Sequence, residues 1–191
     1  DTRIVEGVNR LIVTGDMVTD PDDPAQVAEL WRITEQLNPD IRTYWVPGNH
    51  DVGNSPTSQS LQSYRERFGS DYYAFDHKGC HFVVVNSAVC FDPGNVLQEW
   101  DDQLRFLRAT LGHATRNGSR RILVFTHHSL FLREPDEEDS WAVVPSERRR
   151  ILLDLFKDNG VSFVFSGHWH RNGYAKDENL EMITTGPVGF P

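Results

Sequence analysis

Four short apolar runs of this 191-residue chain each end in oxygen or imidazole donors. RLIVTGD ends in Asp16, TYWVPGNHD carries Asn49, His50 and Asp51, RILVFTHH carries His127 and His128, and VSFVFSGHWH carries His168 and His170. Taken singly, each has an ordinary explanation. A Gly-Asp after a strand is a common turn or helix cap, Pro47-Gly48 marks a turn of its own, and a lone histidine is most often a satisfied core residue. Their recurrence at four strand ends is what those explanations leave uncovered, and a metal site accounts for it. Carboxylate, amide oxygen and imidazole without thiolate form a donor set for Mn, Fe or Zn in a catalytic centre rather than for a Cys-type structural zinc. Two such ions roughly 3.5 to 4 Å apart clamp a phosphoester and lower the pKa of a bridging water toward about 7. His168 and His170, two apart on an extended chain, face one side and are placed to serve adjacent ions. Gly15, Gly48 and Gly167 leave room for the backbone to approach.

The elements that must position these groups are legible as alternating strands and helices, the pattern of layered α/β architecture. Strands are expected at residues 10–14, 43–46, 81–86, 121–126 and 161–166, each short and rich in β-branched or aromatic residues. Val27, Leu30, Trp31 and Leu37 form one helical stripe, and Leu97, Trp100, Leu104, Leu107 and Leu111 a second. Leu61, Tyr64 and Phe68 mark a third helix after Ser55-Pro56-Thr57, and Ser146 opens a fourth that stops at Asn159-Gly160. A hairpin turning through Lys78-Gly79 is expected to join residues 72–75 to the strand from His81. The acidic stretch from Glu134 to Asp139 reads as a solvated loop. In an open α/β sheet the loops past the carboxyl ends of the strands share one crevice, which would gather the donors across long sequence gaps.

Composition bounds the partners. Residues 1–191 are the size of one domain, with 38% apolar residues, and no repeat or linker divides them. A formal charge of -9 argues against a nucleic-acid backbone, and no apolar run approaches the roughly 20 residues of a membrane span. Cys80 and Cys90 read as buried free thiols, and no signal peptide is visible, which together suit a cytoplasmic protein.

As a set, Gly15-Asp16, Gly48-Asn49-His50-Asp51, Thr126-His127 and Gly167-His168-Trp169-His170 resemble, in order and spacing, four signature blocks of the calcineurin-like metallophosphoesterases. Within that superfamily, GNHDVGNSPT, FLREPDEED and FSGHWHRN resemble a small serine/threonine phosphatase group. The resemblance implies an α-β-β-α sandwich with its metal site at the carboxyl ends of the strands. It implies two divalent or transition metal ions, with Asp16 bridging them, Asn49, His127 and His168 completing the second ion's shell, and His170 on the first. His128 is the alternative to His127. His50 would contact the phosphate or protonate the leaving group, with Asp51 holding its imidazole, and Arg171 could touch substrate.

The family opens on a strand ending in Asp-x-His or Asp-x-Gln, and no such segment precedes Asp16. The expectation is therefore a domain lacking its first strand and shortened at both ends, with one complete ion site and one incomplete. The implied activity is hydrolysis of a phosphomonoester, on a phosphoprotein or small phosphate compound. Two alternatives stand beside it: a nucleotide phosphodiesterase, and a catalytically degenerate scaffold that binds a partner.

Overall fold

The computed structural model describes residues 8–188. Residues 1–7 and the end of the tail, Gly189-Phe190-Pro191, lie outside the described residues, and so does whatever the expectations above place there. Two sheets carry the chain. The smaller pairs β1 (Arg10–Val13) with β2 (Arg42–Trp45) in parallel. The larger has six strands in the order β3-β4-β5-β6-β8-β7, formed by β3 (Tyr73–His77), β4 (Cys80–Val84), β5 (Arg121–Phe125), β6 (Val161–Ser166), β7 (Gly173–Asp177) and β8 (Leu180–Thr184). Its central run β4-β5-β6-β8 is parallel, and an antiparallel hairpin closes each edge.

The two sheets meet through aromatic and aliphatic side chains. Phe75, Phe82, Phe125 and Phe165 stack in succession across β3 to β6, with neighbouring ring centroids 4.8 to 6.0 Å apart. Tyr44 of the small sheet lies on Phe75 at 3.7 Å, and Val46 and Ile12 complete the contact. The opposite face of the large sheet buries Val83, Ile122, Val124 and Val164 against two helices. These are α5 (Leu97–Arg116), through Leu107, Leu111 and Ala114, and α6 (Ser146–Asp158), through Leu152, Leu153 and Phe156. On the small sheet's outer side, Trp45 packs on Trp31 of α1 (Pro24–Thr34) and on Phe68 of α3 (Ser58–Phe68). The layers therefore run α-β-β-α.

Local chemistry explains most boundaries. Asp23 caps α1 ahead of Pro24, and Thr57 and Ser60 form a reciprocal cap on α3. The β3–β4 turn places Lys78 and Gly79 at φ 49° and 76°, the paired positive dihedrals that a two-residue hairpin needs. Two short helices and one hairpin were not expected: α2 (Asn49–Val52), α4 (Ser87–Phe91) and β7–β8. Two expected stripes need correction. Helix α1 buries no residue fully and stops at Thr34, so Leu37 falls in the turn beyond it, and Leu97 at the start of α5 is 64% exposed. The acidic stretch is not merely solvated. Glu137 accepts the backbone N–H of Leu132 and Arg133, Asp139 accepts that of Ser146, and the wholly buried Arg149 donates to the Glu137 carbonyl. Cys90 is buried, Cys80 half-buried, and both are free. No described helix is long and apolar enough to cross a membrane.

Candidate metal centre

Each donor reaches the crevice because the chain turns sharply where a parallel strand ends. After β1, Gly15 and Asp16 take positive φ values of 98° and 54°, and after β6, His168 and His170 take 62° and 56°. Non-glycine residues rarely occupy that region, and the surrounding contacts must hold them there. After β2, Gly48 opens α2 and sets Asn49 and His50 in its first turn. After β5, Ser87 of α4 receives the backbone N–H of both His127 (3.0 Å) and His128 (2.8 Å), fixing that turn from outside. The glycines are steric necessities. A Cβ on Gly15 would overlap the His127 ring, and one on Gly48 would overlap the Asp16 carboxylate.

Nε2 of His127 stands at the centre of the result. It lies 3.0 Å from Asn49 Oδ1, 3.0 Å from His168 Nδ1 and 3.1 Å from Asp16 Oδ2. The hydrogen-bond partners of the two rings fix what those atoms carry. His127 Nδ1 is 2.8 Å from the Thr14 carbonyl and His168 Nε2 is 2.9 Å from the Trp141 carbonyl, and a carbonyl can only accept. With their hydrogens given to those carbonyls, the neutral rings turn bare lone pairs toward the carboxylate and amide oxygens. Four lone-pair atoms thus converge with no hydrogen between them, which is repulsive unless a cation sits among them. Backbone carbonyls behind both rings are the usual means of fixing the tautomer of metal-binding histidines. The donor set therefore fits a divalent metal, and Asp16, His127 and His168 place their donor atoms within 4.8 Å of one another.

The electrostatics favour donors ready to bind. Burial pushes the Asp16 carboxyl up, but positive charge at the His127 ring together with the His50 N–H outweighs it and holds the group below its ordinary value, the same pull a cation among these donors would exert. Burial, reinforced by neighbouring His127, brings His168 down to about 4, so it is neutral at physiological pH. His128 is driven well below the usual imidazole value by burial and by the two adjacent histidines. Its Nδ1 is engaged by the Ser87 hydroxyl at 3.1 Å and its ring lies between Phe91 and His168, so the structure brings His127, not His128, to the donor group.

The other four expected residues take four different places. His170 lines the cleft with Asp16, Asn49, His50 and His168, outside the three-donor cluster. His50 stands exposed at the rim, its N–H on Asp16 Oδ1 and its Nδ1 3.0 Å from the Thr19 carbonyl. Asp51 does not hold that imidazole. It is buried beneath the site and accepts the backbone N–H groups of Gly48, Asp16 and Met17 at 2.8 to 3.1 Å, so it ties the ends of β1 and β2 together. Burial pushes its carboxyl up to about 7, against the pull of those N–H donors. Arg171 does not line the cleft; its guanidinium lies 5.9 Å over the Trp169 ring. Sequence reasoning missed Asn54, Phe91 and Trp141, which line a cleft of about 450 Å³ in front of the donors.

Comparison with known proteins gives this geometry its context. The chain is 34% identical over 198 residues to the serine/threonine-protein phosphatase CPPED1 of Danio rerio and 31% identical over 199 residues to that of Homo sapiens. Each alignment covers 98% of the chain but only 64% and 63% of the relative, so the chain spans less than two thirds of their length. Among solved structures, a dimetal phosphatase from Danio rerio superposes with a TM-score of 0.66 at 18% identity, covering 96% of this chain and 74% of that one. Purple acid phosphatase PPD1 of yellow lupin gives 0.69 at 14% identity, covering 95% of this chain and 37% of that one. The sequence profile described as calcineurin-like phosphoesterase matches residues 2–172. With that match spanning most of its length, the chain belongs to the calcineurin-like phosphoesterase family.

Proposed function

We propose that this domain hydrolyses a phosphomonoester with the help of bound metal. The observation that carries the reading is the convergence on His127 Nε2 of three further lone-pair atoms, from Asp16, Asn49 and His168. Those four side chains would hold one ion, and His170 on the cleft wall is a donor for a second. Such an ion, when bound, supplies Lewis acidity toward a phosphoryl oxygen and acidifies a bound water. Mn, Fe and Zn all suit these donors. Thr14 and Trp141 keep the two ring lone pairs aimed inward. Asp16 spans the two sides of the site, tied to the start of α2 through the His50 N–H. His50, with Nδ1 against the Thr19 carbonyl, leaves Nε2 to carry a proton to the departing alcohol.

The relatives named serine/threonine phosphatases make a phosphoprotein the first substrate to try, and the free Cys80 and Cys90 suit a reducing, cytoplasmic setting. The deciding experiment combines metal analysis with hydrolysis of p-nitrophenyl phosphate and bis-p-nitrophenyl phosphate, with and without added Mn²⁺. Metal-dependent turnover of the monoester, with His50→Gln lowering kcat at least about a hundredfold while metal content stays constant, supports the reading. Faster turnover of the diester replaces it with a phosphodiesterase, and metal-free, inactive protein replaces it with a binding scaffold.

A further inference from the structure

The cleft in front of the donor group is walled on one side by rings. Phe91 stacks on His128 at 4.8 Å, His128 lies 4.3 Å from His168, and Trp141 stands edge-on to His168 at 5.2 Å. The two outer members of this row, Phe91 and Trp141, both line the cleft. Trp141 is 63% exposed, while Ala142, Val143 and Val144, which follow it, are buried. The loop thus buries its small apolar side chains and turns its largest one outward. Burying an indole is worth several times as much as burying an alanine, so this choice works against stability.

Nor is the indole outward through looseness. Two consecutive arginines at the start of α6 anchor backbone near the walls: Arg148 donates to the carbonyls of Cys90 and Phe91, and Arg149 to those of Leu130 and Glu137, in the loop that leads to Trp141. Ser129 pairs with Val143 and accepts the N–H of Val144, and Asp139 accepts that of Ser146. A ring carried on an anchored loop beside a polar floor is an arrangement suited to a ligand with an anionic end and a flat apolar end. The cleft, at about 450 Å³, has room for much more than a phosphate group.

We propose that Trp141, with Phe91, is the specificity wall of this cleft and selects phosphoesters whose alcohol carries a flat apolar group next to the phosphate. The proposal rests on the phosphomonoesterase reading for the position of the phosphate. The polar end lies toward Asp16, Asn49 and His50, and the apolar group lies against the indole face, where ring contact favours it over an aliphatic chain.

Benzyl phosphate and ethyl phosphate test this, because their alcohols are similarly weak leaving groups and differ mainly in the ring. The native protein, with Mn²⁺, is expected to favour benzyl phosphate in kcat/KM by about tenfold, the size of one added ring contact. Trp141→Ala is expected to lose most of that preference, through KM more than kcat, and Trp141→Phe to keep it. A binding arm uses benzylphosphonate and ethylphosphonate, which are not hydrolysed, and reads the quenching of tryptophan fluorescence and its competition by inorganic phosphate. Tighter binding of benzylphosphonate that Trp141→Ala abolishes supports the specificity wall even where neither ester is turned over, an outcome that would count against the hydrolase reading alone. Equal binding of the two phosphonates by the native protein, or equal losses for both ligands in Trp141→Ala, overturns it.

Discussion

Asp51 and His128 sit one step behind the converging donors, and their surroundings set what substitution does. Asp51 gives its two oxygens to three backbone N–H groups, so the change to Asn turns an NH₂ toward donors it cannot bond. Asp51→Asn is expected to lower stability by about 2 to 3 kcal/mol, the usual cost of orphaned buried polar groups, read from urea unfolding midpoints. A loss confined to the pH–rate profile would instead return Asp51 to the His50 imidazole. The two buried histidines predict an acid limb. The unfolded chain takes up a proton near pH 6.5, whereas folded His168 does so only near 4, and burial holds His128 well below the ordinary imidazole value too. Their contribution is fully present above pH 6.5 and is lost as pH falls toward 4. In chelator-treated protein this loss opposes the gain from Asp51, whose carboxyl is pushed up to about 7 in the folded chain, so the variant is compared with the native protein: His128→Phe should hold its urea midpoint better between pH 7 and pH 5. An unchanged pH slope in the variant would place the protons elsewhere.

At the scale of elements, the site depends on glycines that let strand ends touch. Gly48→Ala forces a methyl into the Asp16 carboxylate and backbone, while Gly118, at φ 67°, has nothing within 4 Å of its would-be Cβ. The alanine at 118 should cost about 1 kcal/mol from the positive φ alone. The alanine at 48 should cost about 3 kcal/mol or more and weaken Mn²⁺ binding at least about tenfold, by calorimetry and unfolding. Equal effects at the two positions would mean that β1 and β2 can separate without harm. Much of this was legible beforehand, because the five strands that feed or flank the site are runs of β-branched and aromatic residues, and four of them end in donors. The β7–β8 hairpin was not, since GYAKD has no β-branched residue, Glu181 interrupts the apolar run of LEMIT, and both gain their order from pairing at a sheet edge. Arg149 was equally hidden. The run ERRR reads as a solvated helix face, yet the second of its arginines is buried because the carbonyls of a returning loop surround it. Asp51 was found as a site residue but given the wrong neighbour, because adjacency in sequence to His50 says nothing of which way a side chain on a short helix points.

Over the whole molecule, the two sheets are joined by aromatic stacking at their interface and by donor atoms at one end. Phe125 is central to the interface, 7% exposed and stacked on both Phe82 and Phe165. Phe125→Ala should cost about 3 to 5 kcal/mol in a single cooperative transition. Binding at the donor end should act on the same transition, with Mn²⁺ at a hundred times its Kd adding about 2.7 kcal/mol by mass action. A thermal midpoint indifferent to Mn²⁺ and to chelator would count against a metal between Asp16, His127 and His168.

The donor cluster also has a place in time. His127 Nδ1 meets the Thr14 carbonyl across 113 positions of chain, and its Nε2 meets Asn49 across 78. Closures of that length are entropically expensive and tend to form late, after the more local strand pairings. A contact absent from the folding barrier leaves the folding rate almost untouched and acts on the escape rate instead. A cation held at this cluster would therefore work as a latch: it would prolong the lifetime of the folded chain without hastening its birth.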